Sequence, residues 1–112
     1  MKHQLIALAS GIIYVYTIIM FIWDPQKAIT NYEKHGVSFE EAATRFADDN
    51  GLDWDDQTHS QNEQRRKRLA ESLEHRVLLT VYTIRASNDG NEKIRLISSR
   101  QANHKERQVY SG

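Results

Sequence analysis

No cysteine occurs among the 112 residues, so disulfides and thiolate metal sites are excluded, and a reducing compartment fits the chain. A single proline and no low-complexity tract argue against a disordered chain. There is no excess of charge of either sign: 15 Lys and Arg balance 15 Asp and Glu, so global charge lends nothing to nucleic-acid binding. Neither a glycine-rich phosphate loop nor a serine nucleophile elbow is present. His35, His59, His75 and His104 lack short ligand spacings such as i, i+4, which argues against a metal site. No metal and no cofactor are expected.

What is present is an uneven distribution of charge. Acids cluster in the middle, at Asp48, Asp49, Asp53, Asp55 and Asp56. From position 64 onward the cations are Arg65, Arg66, Lys67, Arg68, Arg76, Arg85, Lys93, Arg95, Arg100, Lys105 and Arg107. An acidic middle followed by a basic second half restores the nucleic-acid reading that the net charge withheld. The length suits one domain and can bury a core without staples.

Residues 5–23 form an uncharged, mostly apolar run of 19 residues, about the length of a membrane-crossing helix. Two readings stand. Either this run is a membrane segment, or residues 1–19 are an apolar extension upstream of a working domain at 20–112. The second is favoured by Phe21, Ile22 and Trp23, which a following domain needs for its core, and by Met20, which makes sense as a start.

Beyond the run, Asp24-Pro25 is a strong helix start, because aspartate caps free N–H groups and proline fits the first helical position. The helix is expected to reach His35 and end at Gly36, with Ala28, Ile29 and Tyr32 as its apolar stripe. Ser38 and Glu41 make a capping box for a second helix to about Phe46. Residues 48–51 (DDNG) read as a turn and 52–55 (LDWD) as a half-buried strand. Residues 64–71 (QRRKRLAE) suit either a helix or a strand. Residues 77–84 (VLLTVYTI) are the best central strand. Residues 87–91 (SNDGN) form a hairpin loop, and 93–98 (KIRLIS) pair antiparallel with the preceding strand. Asn103 and Glu106 box the start of a last helix to about Tyr110. The expected class is α+β: two N-terminal helices, an antiparallel sheet of three to four strands, and a C-terminal helix.

Seven stretches, in order and in register from position 20 to 110, resemble the BrnT toxin family of the RelE-like ribonuclease fold. They are 21–28 (FIWDPQKA), 34–42 (KHGVSFEEA), 46–48 (FAD), Asp55-Asp56 with His59-Ser60, Glu63 with Arg65, Arg76-Val77-Leu78, and 97–102 (ISSRQA) with Glu106, Arg107 and Tyr110. The block at 34–39 is the most specific. Ala70 stands where the family usually has glycine, and Arg66 where an apolar or aromatic residue is common. Residues 64–70 are therefore less convincing as a buried strand, and residues 1–19 have no counterpart.

The resemblance implies a ribonuclease toxin of a type II toxin–antitoxin system. It would cleave RNA without a metal, inhibit translation and act in the cytoplasm. Its implied partner is a BrnA-like ribbon-helix-helix antitoxin, with DNA contacted only through that antitoxin. Cleavage beside a 2′-hydroxyl needs a proton acceptor, a stabiliser of the phosphorane and a proton donor for the 5′-oxygen. Arginine suits the second task; histidine and tyrosine suit the proton steps. The catalytic candidates are Arg65, Arg100, Arg107, Tyr110 and His35, and the RNA-binding candidates are Lys34, Arg76 and Arg95. Each has a structural alternative: His35 can cap its helix, Arg65 can belong to a solvated charge run, and Arg107 and Tyr110 can meet the antitoxin. Two rival functions remain: a catalytically degenerate antitoxin-binding protein, and a membrane-anchored interaction protein resting on residues 5–23.

Overall fold

A computed structural model describes residues 4–8, 11–16, 19–59, 63–86 and 92–112. Three strands come first: β1 (Gln4–Leu8), β2 (Gly11–Tyr16) and β3 (Ile19–Ile22). Helices α1 (Pro25–His35) and α2 (Phe39–Thr44) follow, then β4 (Leu52–Asp55), β5 (Arg65–Glu71), β6 (Val77–Ala86), β7 (Glu92–Gln101) and α3 (His104–Ser111). All the strands belong to one sheet in the order β1-β2-β3-β7-β6-β5-β4. Strand β3 runs parallel to β7; the other pairs are antiparallel.

This corrects the expected fold in two respects. The helices α1 and α2 are preceded by strands, and the sheet is mixed and seven-stranded rather than antiparallel with three to four strands. The cause lies in the apolar run. Its isoleucines, valine and tyrosines favour strands, and here they pair along β1, β2 and β3. Among the described residues no helix is long and apolar enough to cross a membrane.

The local signals at 24–38 act as the sequence implies. Asp24 accepts a hydrogen bond from the Gln26 amide at 2.8 Å, Pro25 opens α1, and Gly36 closes it at φ 68°, in the left-handed region. Ser38 accepts from the Glu41 amide, but the Glu41 side chain does not return the bond; it turns inward to Ser72 and Arg76. The α1 stripe is a second correction. Ala28 packs against the core, whereas Ile29 and Tyr32 remain 53% and 59% exposed, along a groove shared with Trp23 and Phe39.

Helices α1 and α2 cover one face of the sheet. There Phe21, Phe39, Ala42, Ala43, Tyr82, Ile94 and Leu96 are buried together, with Phe46 tilted against Phe21 and edge-on to Tyr82. Burying each large side chain contributes roughly 1.5–3 kcal/mol. Asn31 fixes α1 to the sheet: its amide nitrogen donates to the carbonyls of Val37 and Ser99, and its oxygen accepts from the Ser99 amide, each at 2.9 Å. Arg45 is fully buried on this side, donating from Nε to Thr80 and lying 5.0 Å from the Phe46 ring centre. Helix α3 packs on the opposite face, over Leu69, Leu79, Ala102 and Val77.

Candidate nucleic-acid interface

The Arg65–Arg68 run is a strand, and its alternation separates the cations between two faces. Arg66 and Arg68 turn toward the helices. Arg66 pairs with Asp55 at 2.8 Å and donates to the Tyr82 hydroxyl; Arg68 pairs with Asp53 and donates to the Asp48 carbonyl. Tyr82 in turn donates to Asp53 at 2.6 Å, and burial together with that carboxylate raises its pKa. The residues that make 64–70 look unlike a buried strand are thus accommodated by the acids of β4. Ala70 itself is fully buried.

Arg65 and Lys67 take the other face, the one that carries α3. Cross-strand partners share a face, so the register defines rows across it. Arg65 of β5, Thr83 of β6 and Arg95 of β7 form one row. Arg85 and Lys93 form the next row outward. Lys67, Val81 and Ser98 form the row on the α3 side, and Leu69, Leu79 and Arg100 the one after it. Six cations therefore project from a single face. The carboxylate of Glu63 sits between Arg85 and Arg95, at 3.4 and 3.6 Å, which confirms that these two guanidiniums share a side. Thr83 is buried beneath this cluster, and its hydroxyl finds no hydrogen-bond partner among the described residues.

At the far end Arg100 is held by α3. Its two terminal nitrogens donate to the two oxygens of Glu106 at 2.8 and 3.0 Å. The Arg100 hydrogen bond lowers the Glu106 pKa, and the charge of Lys67 contributes. His35, the last residue of α1, lies within the electrostatic reach of Arg100 and Lys34. Partial burial and those two positive charges lower its pKa, which favours a neutral imidazole. Lys34 is exposed.

The predicted residues thus fall into three groups. Arg65, Arg95 and Arg100 share the α3 face, while Lys34 and His35 end α1, on the helix side of the sheet, with His35 within electrostatic reach of Arg100. Arg107 and Tyr110 lie on α3 but anchor it: Arg107 donates to the Ala102 carbonyl at 2.7 Å, and Tyr110 donates to Asp48. That last bond pushes the Tyr110 pKa to about 12. Arg76 is not brought to the face. It turns to the α1–α2 corner, where it pairs with both oxygens of the buried Glu41 and donates to the Gly36 carbonyl. The structure also places Lys67, Thr83 and Arg85 on the face. The signal for them is the two-residue alternation of β5 and β6, which becomes readable once 65–71 is known to be a strand. The expected loop at 87–91 and Ser60 lie outside the described residues.

Among the described residues no group of His, Asp and Glu is arranged to hold a metal. The face offers guanidiniums and the ammoniums of Lys67 and Lys93 for phosphate oxygens. A search of curated proteins gives no match. A family profile described as "Ribonuclease toxin, BrnT, of type II toxin-antitoxin system" matches residues 23–106, which takes in α1, α2, the strands from β4 onward and the start of α3. The chain therefore belongs to the BrnT family of ribonuclease toxins from type II toxin–antitoxin systems.

Proposed function

We propose that the chain is an endoribonuclease that cuts RNA laid across the α3 face of the sheet, without a metal ion. The supporting observation is the convergence of Arg65, Arg95, Lys67 and Arg100 on that one face, with His35 within electrostatic reach of Arg100. Arg100 and His35 form the reactive end. His35, neutral because its pKa is lowered, accepts the 2′-hydroxyl proton. Arg100, oriented by Glu106, stabilises the charge that builds on the phosphorane. Arg65, Lys67 and Arg95 carry the neighbouring phosphates. As the 2′-oxygen bonds to phosphorus the P–O5′ bond breaks and the departing 5′-oxygen takes a proton from water, leaving a 2′,3′-cyclic phosphate and a 5′-hydroxyl.

The chain works in the cytoplasm and blocks translation until a ribbon-helix-helix antitoxin of BrnA type binds it. DNA is reached only through that antitoxin. Purified protein incubated with RNA in excess chelator tests the enzymatic reading. Cyclic-phosphate ends support it; intact RNA, or cleavage only after a divalent metal is restored, overturns it. A second reading, that of a catalytically silent antitoxin binder, takes support from the Arg100–Glu106 pair, which occupies both terminal nitrogens of the guanidinium. Under that reading Glu106→Gln would restore cleavage to an inert protein.

A further inference from the structure

Strand β4 carries two carboxylates and two large apolar side chains in alternation. Its carboxylates are committed to the helix side: Asp53 to Arg68 and Tyr82, Asp55 to Arg66. Successive strand residues project to opposite faces, so Trp54 must point to the other one. Its cross-strand partner is Lys67, and Arg65 lies one step diagonally along β5. The indole is 40% exposed, at one end of the row that continues through Lys67 to Val81 and Ser98. An aromatic ring in water on a strand at the border of a sheet is a liability for solubility and for unwanted strand pairing. Here it stands beside ammonium and guanidinium groups, between the Arg65–Arg95 row and the Arg100 row.

We propose that Trp54 is a stacking platform for one unpaired base of the RNA, so that the strand being cut is single-stranded where it passes Lys67. This rests on the reading that RNA crosses the α3 face. Phosphates follow the cations, and a base turned outward from them meets the indole plane. Every base has a flat π-face, so the platform selects for strandedness rather than for sequence. A base inside a duplex is stacked on its neighbours and cannot offer that face.

The test measures binding of a short 2′-O-methyl single strand of mixed sequence, which lacks the nucleophilic hydroxyl, and of the same strand annealed to its complement. Trp54→Ala should weaken single-strand binding by about tenfold or more, the scale of one lost base–aromatic stack, and leave the duplex unaffected. Trp54→Phe should restore most of the loss and abolish the part of the fluorescence quenching that comes from the Trp54 indole. Arg95→Ala, the control for the face itself, should weaken both probes. If Arg95→Ala weakens binding while both Trp54 variants bind and quench like the parent, the platform is wrong and the interface stands. Equal losses of single strand and duplex in Trp54→Ala also overturn it. If Arg95→Ala changes nothing either, the interface itself is misplaced.

Discussion

The Arg100 guanidinium grips the Glu106 carboxylate with both terminal nitrogens, so the end of the last strand and the first turn of the last helix are held by one ion pair. Glu106 is simultaneously the closing member of the α3 capping box, with Asn103. One carboxylate therefore sets both the direction of the helix and the attitude of the arginine.

Replacing Arg100 separates catalysis from stability. Arg100→Ala should lower the cleavage rate by about 100-fold or more, the usual cost of losing a fixed donor to a developing oxyanion. The melting temperature should change little, because the pair is part-exposed and Asn103 still caps α3. Arg100→Lys should recover only a fraction, since an ammonium cannot grip two oxygens in a plane. Single-turnover cleavage and thermal unfolding of the same samples check this; unchanged cleavage by Arg100→Ala removes it from the reactive end.

The His35 imidazole should titrate below the ordinary histidine range. Partial burial comes first among the causes, followed by the charges of Lys34 and Arg100. Removing either charge should raise the pKa, so Lys34→Ala should move the acid limb of the cleavage profile to higher pH. An NMR titration of the His35 ring in parent and Arg100→Ala protein reads the same effect without needing activity. A downward or absent shift on removing Arg100 would contradict the placement of His35.

The Glu41–Arg76 pair is expected to matter for folding and not for RNA. Burial alone would raise the Glu41 pKa, but hydrogen bonds from Arg76 and Ser72 outweigh it and the net shift is downward. A depressed carboxylate pKa contributes stability above the unfolded-state value, and that stability is lost as pH falls through the folded one. Arg76→Ala leaves a buried carboxylate unpaired and should cost about 3–5 kcal/mol. Denaturant unfolding at neutral pH and in acid should show the parent–variant gap closing as Glu41 protonates. Binding of the uncleavable single strand to the folded Arg76→Ala protein should match that of the parent.

Tyr110 makes the complementary case for α3. Tyr110→Phe should lose about 1–2 kcal/mol with the bond to Asp48, while cleavage well below the melting temperature persists. The neutral phenol is the favoured form, so its stabilisation is present below the ordinary tyrosine pKa of 10 and is lost as pH rises toward about 12. Ultraviolet titration of parent against variant isolates that phenol. A large loss of cleavage with stability intact would return Tyr110 to the chemistry.

Salt dependence distinguishes phosphate contacts from structural cations. Removing Arg65, Lys67 or Arg95 should each reduce the slope of log affinity against log salt by about 0.7 for a single strand. The Arg76→Ala slope should equal that of the parent.

Much of this molecule is legible one segment at a time. Asp24, Pro25 and Gly36 bound α1, and Asn103 and Glu106 open α3, because capping depends on neighbours within four residues. What is not legible depends on partners far away. Residues 64–71 look equally like a helix or a strand until β4 supplies Asp53 and Asp55 for Arg68 and Arg66. The apolar run before Trp23 has the length of a membrane helix, and only its cross-strand pairing identifies it as three strands. Ile29 and Tyr32 hold the right helical spacing for burial, yet nothing in the spacing says that they line an open groove rather than the core. The basic face is the sharpest case: Arg65 and Arg95 are 30 positions apart, and the row that unites them exists only in the register across Thr83.

Asn31 is buried and touches no proposed substrate group, yet its single amide joins α1 to β7 one residue before Arg100. A helix-borne imidazole and a strand-borne guanidinium consequently share one internal hinge pin. An Asn31→Asp exchange would put an anion against the Val37 and Ser99 carbonyl oxygens and loosen α1 from β7.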